Sequence, residues 1–455
     1  MDTLLLGQLL WLRSRMRQRD RWSEAELQRH QQARLAELLA FARERSPFYR
    51  ELHACLERAP FSALPVVTKA HLMSRFDEVV TDRQVRRRDV EVYLARGDEQ
   101  PYLRRYWVTA TSGSSGRPGL FLFNRTEWAH VLASFARAPD YAGLPTGLTH
   151  RTRTAIVSST NPTHMSSRVG ATLKSPFVPT LRLDAIAPLP AIIEQLNAFE
   201  PALLVAYASM AGVLADEQLA GRLQLRPRAV MVSSEVLTHD ARRRVEAAWG
   251  TGVLFEQYAA TEGAGLAAEC QQHRGLHLFE DLTIVEVVDE ANQPVPPGTF
   301  GARVLLTVLW SRTQPLIRYE LDDSLRLSPE RCPDGRATRL IDAVQGRTED
   351  TLRLSGADGH VVAIHPNVFH HVFDGLAVGG WQVIQEPEQL RVLVAEPREG
   401  FDPAALSASL RAALVHQGAQ APELVVETVG AIPRTSNGKA PLIRALRADP
   451  QALEP

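Results

Sequence analysis

Cysteine is scarce in this chain, with three residues among 455. So few thiols exclude a disulfide framework and are typical of a reducing compartment, so a cytoplasmic location is expected. Stability must then come from an apolar core. The length and the 45% of hydrophobic residues are sufficient for a large core, divided between two or more domains.

An excess of charge of one sign is also missing. Lys and Arg total 51, Asp and Glu total 52, and the net charge is -1. The molecule as a whole therefore carries no field that would attract nucleic acid or an anionic membrane, and neither partner is expected. Two local basic runs, Arg86 to Arg88 and Arg242 to Arg244, lie in polar surroundings that are typical of solvated helix faces or turns.

A secretory signal is not recognisable at the start of the chain. The opening MDTLLLGQLLWLRSRMRQRD has a short apolar run that follows an acid and precedes basic residues. This order is the reverse of a signal peptide, and the run is too short to cross a bilayer. The segment is expected to form an amphipathic helix. A second helix is predicted from Glu24 to Phe48, ending at Pro47.

Short apolar runs alternate with helical patterns in the middle of the chain. The runs RTAIVSST, PALLVAY, RAVMVSSE and GVLFEQY are typical of buried strands, and LPAIIEQLNAF and THDARRRVEAAW of the helices between them. This alternation predicts a mostly parallel sheet, in which ligands bind at the carboxyl ends of the strands. Polar residues follow two of the strands, at Ser233 to Glu235 and at Tyr258 to Glu262. A hairpin-rich stretch from Leu276 to Trp310 and a smaller α/β segment from about Gly346 complete the chain.

The stretch VTATSGSSGRPGLF, from Val108 to Phe121, concentrates hydroxyls and glycines in one turn. Glycines let consecutive backbone N–H groups point at one anion, and Ser and Thr add donors without bulk. A phosphate-binding loop and an ordinary flexible loop both fit this composition. It is not a Walker P-loop, because Arg117 and Pro118 stand where Gly-Lys-Ser/Thr would follow.

Five motifs in a fixed order favour the phosphate-binding loop over the flexible loop. They are TSGSSGRPG at 111–119, YAATE at 258–262, RYELDD at 318–323, GRTED at 346–350 and PRTSNGK at 433–439. Their order and spacing resemble the adenylate-forming superfamily, and in particular the phenylacetate-CoA ligase type with its capsule-biosynthesis relatives. SPFYREL at 46–52, LPVVTKAHL at 64–72 and SSEVLTHDARR at 233–243 extend the resemblance over nearly the whole chain.

The resemblance implies an α/β fold with a large N-terminal adenylate-forming domain, residues 1–346, and a small mobile C-terminal α+β domain, residues 347–455. It implies an AMP-forming acid-thiol ligase. A carboxylic acid attacks the α-phosphate of ATP with Mg²⁺ present, giving acyl-AMP and pyrophosphate. A thiol, from coenzyme A or the phosphopantetheine of an acyl carrier protein, then displaces AMP. Homodimers occur in the family, so a homodimer is compatible with the resemblance.

The same resemblance implies roles for individual residues. Lys439 is expected to bridge the carboxylate and the α-phosphate in the adenylation step, where it stabilises charge that develops in the transition state. Thr261 and Glu262 match the pair that contacts phosphate and magnesium, and Glu349 takes the hinge position. The expected ATP and AMP contacts are Thr111, Ser112, Gly113, Ser114, Ser115 and Gly116 for phosphate, Ser234, Glu235, Tyr258, Ala259 and Ala260 around adenine, and Asp323 and Arg347 at the ribose.

A possible zinc site is formed by Cys270, His277, Cys332 and Asp334, although this spacing is not a common zinc pattern. Some relatives of the phenylacetate ligase type carry a cysteine, a histidine and a Cys-x-Cys pair there, which resemble a structural zinc site. Asp334 replaces the last cysteine, and His273 is a further candidate. Zinc and metal-free thiols remain alternatives. The histidines at 360, 365, 370 and 371 are expected to cap and pack, because Pro366 is typical of a helix start.

The acid and the acceptor are less defined. By analogy, the acid pocket has Trp128, His164 and Tyr207 as candidate lining residues, although aromatic side chains there also suit a core. The aromatic wall favours an aryl or arylacetic acid. The segment from Leu352 to Phe369 is longer than the matching turn of phenylacetate-CoA ligases, so an amide ligase that uses an amine acceptor is an alternative. A noncatalytic nucleotide-binding relative is a second alternative, against which Lys439, Asp323, Glu262 and the Gly/Ser loop all argue.

Overall fold

A computed structural model describes residues 3–97, 100–111, 118–144, 151–172, 178–321, 323–347, 352–356, 360–364, 366–373, 376, 378–434 and 440–446. Within them the helices are α1 Thr3–Arg19, α2 Glu24–Arg45, α3 Pro47–Leu52, α4 Lys69–Ser74, α5 Phe76–Val79, α6 Arg87–Arg96, α7 Arg125–Tyr141, α8 Met165–Thr172, α9 Leu189–Phe199, α10 Ala208–Leu219, α11 His239–Trp249, α12 Pro366–Phe373 and α13 Pro403–His416.

The strands are β1 Trp107–Ala110, β2 Leu120–Phe123, β3 Thr154–Ser158, β4 Thr180–Asp184, β5 Leu203–Tyr207, β6 Ala229–Ser233, β7 Leu254–Ala260, β8 Ala264–Glu269, β9 Leu276–Leu278, β10 Thr283–Val288, β11 Arg303–Val308, β12 Tyr319–Leu321, β13 Asp323–Leu327, β14 Leu340–Arg347, β15 Leu352–Ser355, β16 Val361–Ile364, β17 Gly380–Gln385, β18 Gln389–Ala395, β19 Glu423–Val429 and β20 Ile443–Arg444. A short 3-10 turn spans Phe61–Ala63.

A nine-stranded sheet positions the site. Its order is β13-β14-β9-β8-β7-β6-β5-β3-β4. The five strands from β3 to β7 run parallel, and the other four add antiparallel neighbours at one side. Helices α8 to α11 connect the parallel strands, as the alternating pattern predicts. The predicted α/β fold class is confirmed, and the carboxyl ends of β5, β6 and β7 meet at one edge.

The predicted hairpin-rich stretch forms a smaller antiparallel sheet, β10-β11-β12. A second hairpin, β15-β16, lies in the segment from Leu352 to Phe369. Pro366 starts α12 as predicted. The C-terminal residues build a four-stranded sheet, β19-β18-β17-β20, which packs with α12 and α13 around its own apolar cluster that includes Phe369, Trp381 and Leu410.

The first two helices agree with the sequence except at their ends. Helix α1 buries Leu5, Leu9, Leu12 and Met16 on one face, as an amphipathic helix should. Helix α2 starts with a Ser23 capping box but ends at Arg45, before the predicted end at Pro47. The reason is that Pro47 opens α3, with Ser46 as its cap, because proline is favoured in the first turn of a helix.

The two basic runs lie on or beside helices. Arg87 begins α6, and 242–244 belong to α11. Arg244 was predicted to be solvated, and this prediction is wrong. Its side chain is only 11% exposed and pairs with Asp216 and Asp240. No helix among the described residues has the length and apolar character needed to span a membrane.

Candidate active site

A cavity of about 1130 Å³ opens at the carboxyl ends of the parallel strands. Its walls come from the ends of β5, β6 and β7, from β12 and β13, and from C-terminal residues that include Phe373, Trp381 and Arg434. The polar residues that the sequence places after β6 and β7 therefore share one space, as the topology of a parallel sheet requires.

Thr111 closes the base of the predicted phosphate loop. Its hydroxyl accepts a hydrogen bond from the Gly119 N–H at 2.8 Å, and its own N–H donates to the Gly119 carbonyl at 2.9 Å. These two bonds fix both ends of the loop against each other beside the cavity, which Thr111 lines. The loop residues Ser112, Gly113, Ser114, Ser115 and Gly116 lie outside the described residues.

The end of β6 carries the predicted adenine contacts. Ser234 is exposed and has a φ of 70°, an uncommon backbone conformation for a residue other than glycine. Glu235 is half-buried, and its carboxylate accepts two backbone N–H groups, from Ser209 at 2.9 Å and from Ala440 at 2.8 Å. Both residues line the cavity. The Glu235 side chain therefore has partners within the protein that the sequence did not predict.

The β7–β8 hairpin carries the predicted phosphate and magnesium contacts. Thr261 and Glu262 occupy its tip, between the paired residues Ala260 and Ala264, and both line the cavity. Glu262 accepts a hydrogen bond from the Tyr319 hydroxyl at 3.4 Å. A carboxylate at this tip is a suitable oxygen ligand for Mg²⁺.

The adenine and ribose candidates are joined by a side-chain hydrogen bond. The Tyr258 hydroxyl donates to Asp323 Oδ2 at 2.6 Å, and both residues line the cavity together with Ala259 and Ala260. Arg347 is the backbone partner of Asp323 in the β13–β14 pair. The proposed catalyst Lys439 and the hinge residue Glu349 fall outside the part of the chain that the structure describes.

Comparisons with known proteins agree with this geometry. No family model matches the chain. It is 26% identical to the phenylacetate-coenzyme A ligase of Thermus thermophilus, over 81% of each chain, and 22% identical to protein CapK of Staphylococcus aureus, over 71% of this chain and 68% of CapK. A solved 2-hydroxyisobutyryl-CoA ligase in complex with R3-HIB-AMP superposes with a TM-score of 0.72 at 21% identity, covering 95% of this chain and 92% of the ligase.

The chain has the fold of the solved 2-hydroxyisobutyryl-CoA ligase. The resemblance to the phenylacetate-CoA ligase type and its CapK relatives is confirmed. The cavity lies where the parallel strands of this fold meet C-terminal residues.

Two of the three predicted acid-pocket residues line the cavity. His164 and Tyr207 meet at Ser159, whose hydroxyl lies 2.9 Å from His164 Nδ1 and whose N–H donates to the Tyr207 hydroxyl at 3.0 Å. The prediction that Trp128 lines the acid pocket is wrong. Trp128 is fully buried, stacks on Trp107 with ring centroids 5.7 Å apart, and is absent from the cavity wall, so it packs in the core.

The sequence analysis missed several cavity residues, among them Lys69, Glu256 and Gln257. Lys69 begins α4, directly after a segment in which Val67 pairs with Tyr319. Glu256 and Gln257 precede Tyr258 on β7, and the Gln257 amide nitrogen is buried without a hydrogen-bond partner. Burial, with a contribution from Glu269, raises the pKa of Glu256 to about 7. The position of Glu256 two residues before the YAATE motif was the available signal.

The four candidate zinc ligands come together at the antiparallel side of the large sheet. Cys270 follows β8, His277 lies on β9, and Cys332 and Asp334 lie in the β13–β14 connection. Their ligand atoms are all within 4.8 Å of one another. The Thr338 hydroxyl lies 3.0 Å from His277 Nδ1, while His277 Nε2 faces Cys270 Sγ at 3.3 Å and Asp334 Oδ2 at 3.2 Å.

This donor set fits a closed zinc site. Two thiols, one imidazole and one carboxylate are zinc ligands, and a second partner at the other ring nitrogen is the usual way to orient a ligating histidine. Asp334 also accepts a hydrogen bond from Arg336, which would orient its carboxylate. His273, the spare candidate, instead pairs with Glu269 at 3.2 Å.

Proposed function

We propose that this protein activates a carboxylic acid with ATP, forming acyl-AMP and pyrophosphate, and then transfers the acyl group to coenzyme A. The observation that carries the proposal is the single cavity at the carboxyl ends of β5 to β7, where the Tyr258–Asp323 pair, the Thr261–Glu262 tip and C-terminal residues converge. Relatives named as coenzyme A ligases support coenzyme A as the acceptor.

Within this proposal each group has a chemical task. The loop from Thr111 to Gly116 holds the pyrophosphate end of ATP. Asp323 accepts hydrogen bonds from the ribose hydroxyls, and Arg347 contributes a donor at the ribose. Tyr258 flanks adenine beside the backbone of Ala259, Ala260, Ser234 and Glu235. Thr261 contacts phosphate, and Glu262 holds Mg²⁺, which neutralises phosphate charge. Lys439 stabilises the charge that develops between carboxylate and α-phosphate.

We further propose an aryl or arylacetic acid as the substrate. His164 and Tyr207 supply aromatic wall, and Phe135 and Met165 line the same cavity. Aromatic and apolar side chains of this kind favour an aromatic ring in the substrate. An acyl carrier protein is the alternative source of the acceptor thiol, and a homodimer is compatible with the family.

The proposed organisation is a catalytic domain of residues 1–346 and a mobile domain of residues 347–455, with Glu349 at the hinge. The separate apolar cluster of the C-terminal sheet supports this division. We also propose a structural zinc ion at Cys270, His277, Cys332 and Asp334, and a cytoplasmic location, which suits cysteines that form no disulfide.

The test is acid-dependent exchange of labelled pyrophosphate into ATP, measured with Mg²⁺ over aryl, arylacetic, fatty and amino acids. Exchange with one class establishes adenylation and names the substrate type. Release of AMP that depends on coenzyme A, and neither on a carrier protein nor on an amine, then establishes the acceptor. The absence of exchange across the panel, together with calorimetric ATP binding, would favour a noncatalytic relative.

Lys439→Ala tests the mechanism. The substitution is expected to lower the adenylation rate by about 100- to 1,000-fold, as removal of one charge-stabilising donor does in other enzymes. Transfer of the acyl group from supplied acyl-AMP to coenzyme A is the internal control and should fall much less. An unchanged adenylation rate would show that Lys439 is not the catalyst.

A further inference from the structure

The residues on both sides of the segment that carries Lys439 are bonded to neighbouring groups at the carboxyl edge of the large sheet, Ser209 at the start of α10 and Glu235 after β6. Arg434, on the N-terminal side, donates from Nη1 to the Ser209 hydroxyl at 3.3 Å. Ala440, on the C-terminal side, donates its N–H to Glu235 Oε1 at 2.8 Å. Ser209 and Glu235 are in turn joined, because the Ser209 N–H donates to Glu235 Oε2 at 2.9 Å.

The Glu235 carboxylate is well suited to hold this arrangement. Ser209 is the second residue of α10, a 12-residue helix whose N-cap Tyr207 makes no side-chain capping bond. Glu235 provides that cap, and the positive end of the helix dipole favours its charge. Burial lowers the pKa of Arg434, and the nearby Glu235 charge opposes that lowering. A hydrogen bond to an ionised carboxylate is stronger than one between neutral groups.

The other side of Ala440 is fixed to the C-terminal sheet. The Gln382 amide donates to the Pro441 carbonyl at 2.7 Å, and the Val383 N–H donates to the Leu442 carbonyl at 2.8 Å. Strand β20 then continues the pairing with β17. Ala440 is therefore the residue at which the C-terminal sheet and the end of β6 are joined by one hydrogen bond, directly beside Lys439 in the chain.

On the basis of the proposed function, we propose that Glu235 is a positioning residue for adenylation: its carboxylate docks the chain beside Lys439 onto the cavity. The backbone at 234–235 remains available to the nucleotide, so the predicted adenine contact does not require the carboxylate. The charge of Glu235 is then needed for the adenylation step, in which Lys439 acts. It is not needed for acyl transfer from supplied acyl-AMP.

Glu235→Gln separates positioning from adenine binding. An amide can accept only through its single oxygen, so one of the two N–H partners is lost. We expect the acid-dependent exchange rate at saturating ATP to fall about 10- to 100-fold, with KM for ATP and acyl transfer from supplied acyl-AMP changed by less than about 3-fold. A raised KM for ATP, or an equal loss in both half-reactions, would overturn the positioning role.

Ala440→Pro tests the Glu235–Ala440 hydrogen bond from the donor side, since proline has no N–H. Ala440→Gly is the matched control, because glycine keeps the N–H. The proline variant should reproduce the loss in adenylation alone, and the glycine variant should not. The double variant E235Q/A440P should be no slower than the slower single variant, because each single variant already breaks the bridge from Ser209 through residue 235 to Ala440. Multiplying effects would contradict the proposal.

Two controls keep this result independent of folding and of the proposed function. Asp240→Asn removes a carboxylate from the same cavity wall, but its ion pairs are with Arg243 and Arg244 of its own helix. It should keep the ratio of the two half-reaction rates. Wild-type protein is assayed first, and absence of exchange there counts against the proposed function, whereas exchange in the wild type with an unchanged rate in E235Q counts against the positioning role.

Discussion

The proposed role of the Asp323 carboxylate in ribose binding can be tested through KM for ATP. Asp323 lies on the cavity wall, 2.6 Å from the Tyr258 hydroxyl, at the start of β13. A carboxylate is the acceptor that a ribose diol requires, since both hydroxyls can donate to it. The tyrosine orients this carboxylate and is not itself needed as the ribose acceptor.

The Tyr258–Asp323 pair therefore predicts that substitutions at its two residues raise KM for ATP by different factors. Asp323→Ala is expected to raise KM for ATP in pyrophosphate exchange by about 10- to 100-fold, the cost of losing hydrogen bonds to a charged group. Tyr258→Phe removes only the orienting bond and is expected to raise it by about 2- to 5-fold. Similar values for both variants would show that Asp323 does not bind the ribose.

Glu256 predicts a dependence of stability on pH. Burial raises its pKa from 4.5 to about 7, so the folded protein holds this proton more tightly than the unfolded chain. The stabilisation that this provides is complete below pH 4.5 and is lost as the pH rises through 7. Glu256→Gln should therefore stabilise the ligand-free protein by about 1–3 kcal/mol at pH 8 and by much less at pH 5.

Thermal unfolding of the two proteins at both pH values measures this difference. Glu37→Gln is a suitable control, since Glu37 lies at the surface in a pair with the exposed Arg34. An equal shift of Tm for Glu256→Gln at pH 5 and pH 8 would show that the raised pKa of Glu256 is not the cause.

The sequence shows which polar residues follow a strand. It does not show whether an aromatic side chain lines the cavity or packs in the core. Tyr207 and Trp128 are both aromatic residues near strand or helix starts, yet Tyr207 lines the cavity and Trp128 packs on Trp107 in the core. Glu235 was placed at the adenine site, and its bond to Ala440 was missed, because the two residues are 205 positions apart in the chain.

At the scale of elements, α1 is held to α7 by a buried ionic network. Arg137 on α7 donates to Asp281 at 2.6 Å and also binds Asp20, the residue after α1, and its side chain is 3% exposed. Arg19 adds a bond to Asp281 at 3.2 Å. Burial by itself would raise the pKa of Asp281, but Arg137 and Arg19 hold it below its usual value.

This network predicts that Asp281→Asn is strongly destabilising. Removal of one buried charge leaves Arg137 incompletely paired, at a cost of about 3 kcal/mol at pH 7. Because the pKa of Asp281 is lowered by folding, its contribution is present above its usual pKa and is lost as the pH falls below it. The difference in Tm from wild type should therefore shrink between pH 7 and pH 3. A loss no larger than that of Glu37→Gln, which breaks the exposed pair with Arg34, would contradict the prediction.

Of the five parallel strands, β4 was missed, because its residues TLRLD alternate polar and apolar side chains. The other four were predicted, because each is a short and mostly apolar run, as in LLVAY of β5. The antiparallel side of the sheet was not, since its strands have long connections and irregular register. β13 and β14 pair with two register shifts, and β9 contributes only three residues. Their pairing is what brings Cys270 to Cys332, with sulfur atoms 3.7 Å apart.

For the molecule as a whole, the cysteine cluster and the cavity are separate features of one sheet. None of Cys270, His277, Cys332 and Asp334 belongs to the cavity wall. Metal bound there would join β8, β9 and the β13–β14 connection, and would contribute its binding free energy to folding. It would not take part in adenylation, so stability and catalysis should respond differently to its removal.

Elemental analysis of purified protein is expected to give about one zinc per chain, because four ligands complete a structural site. Cys332→Ser should lose the zinc and lower Tm, while the exchange rate, measured well below Tm and normalised to folded protein, falls less than about 3-fold. Cys55→Ser is the matched control, since Cys55 is the exposed cysteine outside the cluster. Wild-type protein without zinc, or a Cys332→Ser variant that keeps the metal, would show that the cluster is a set of packed thiols and not a metal site.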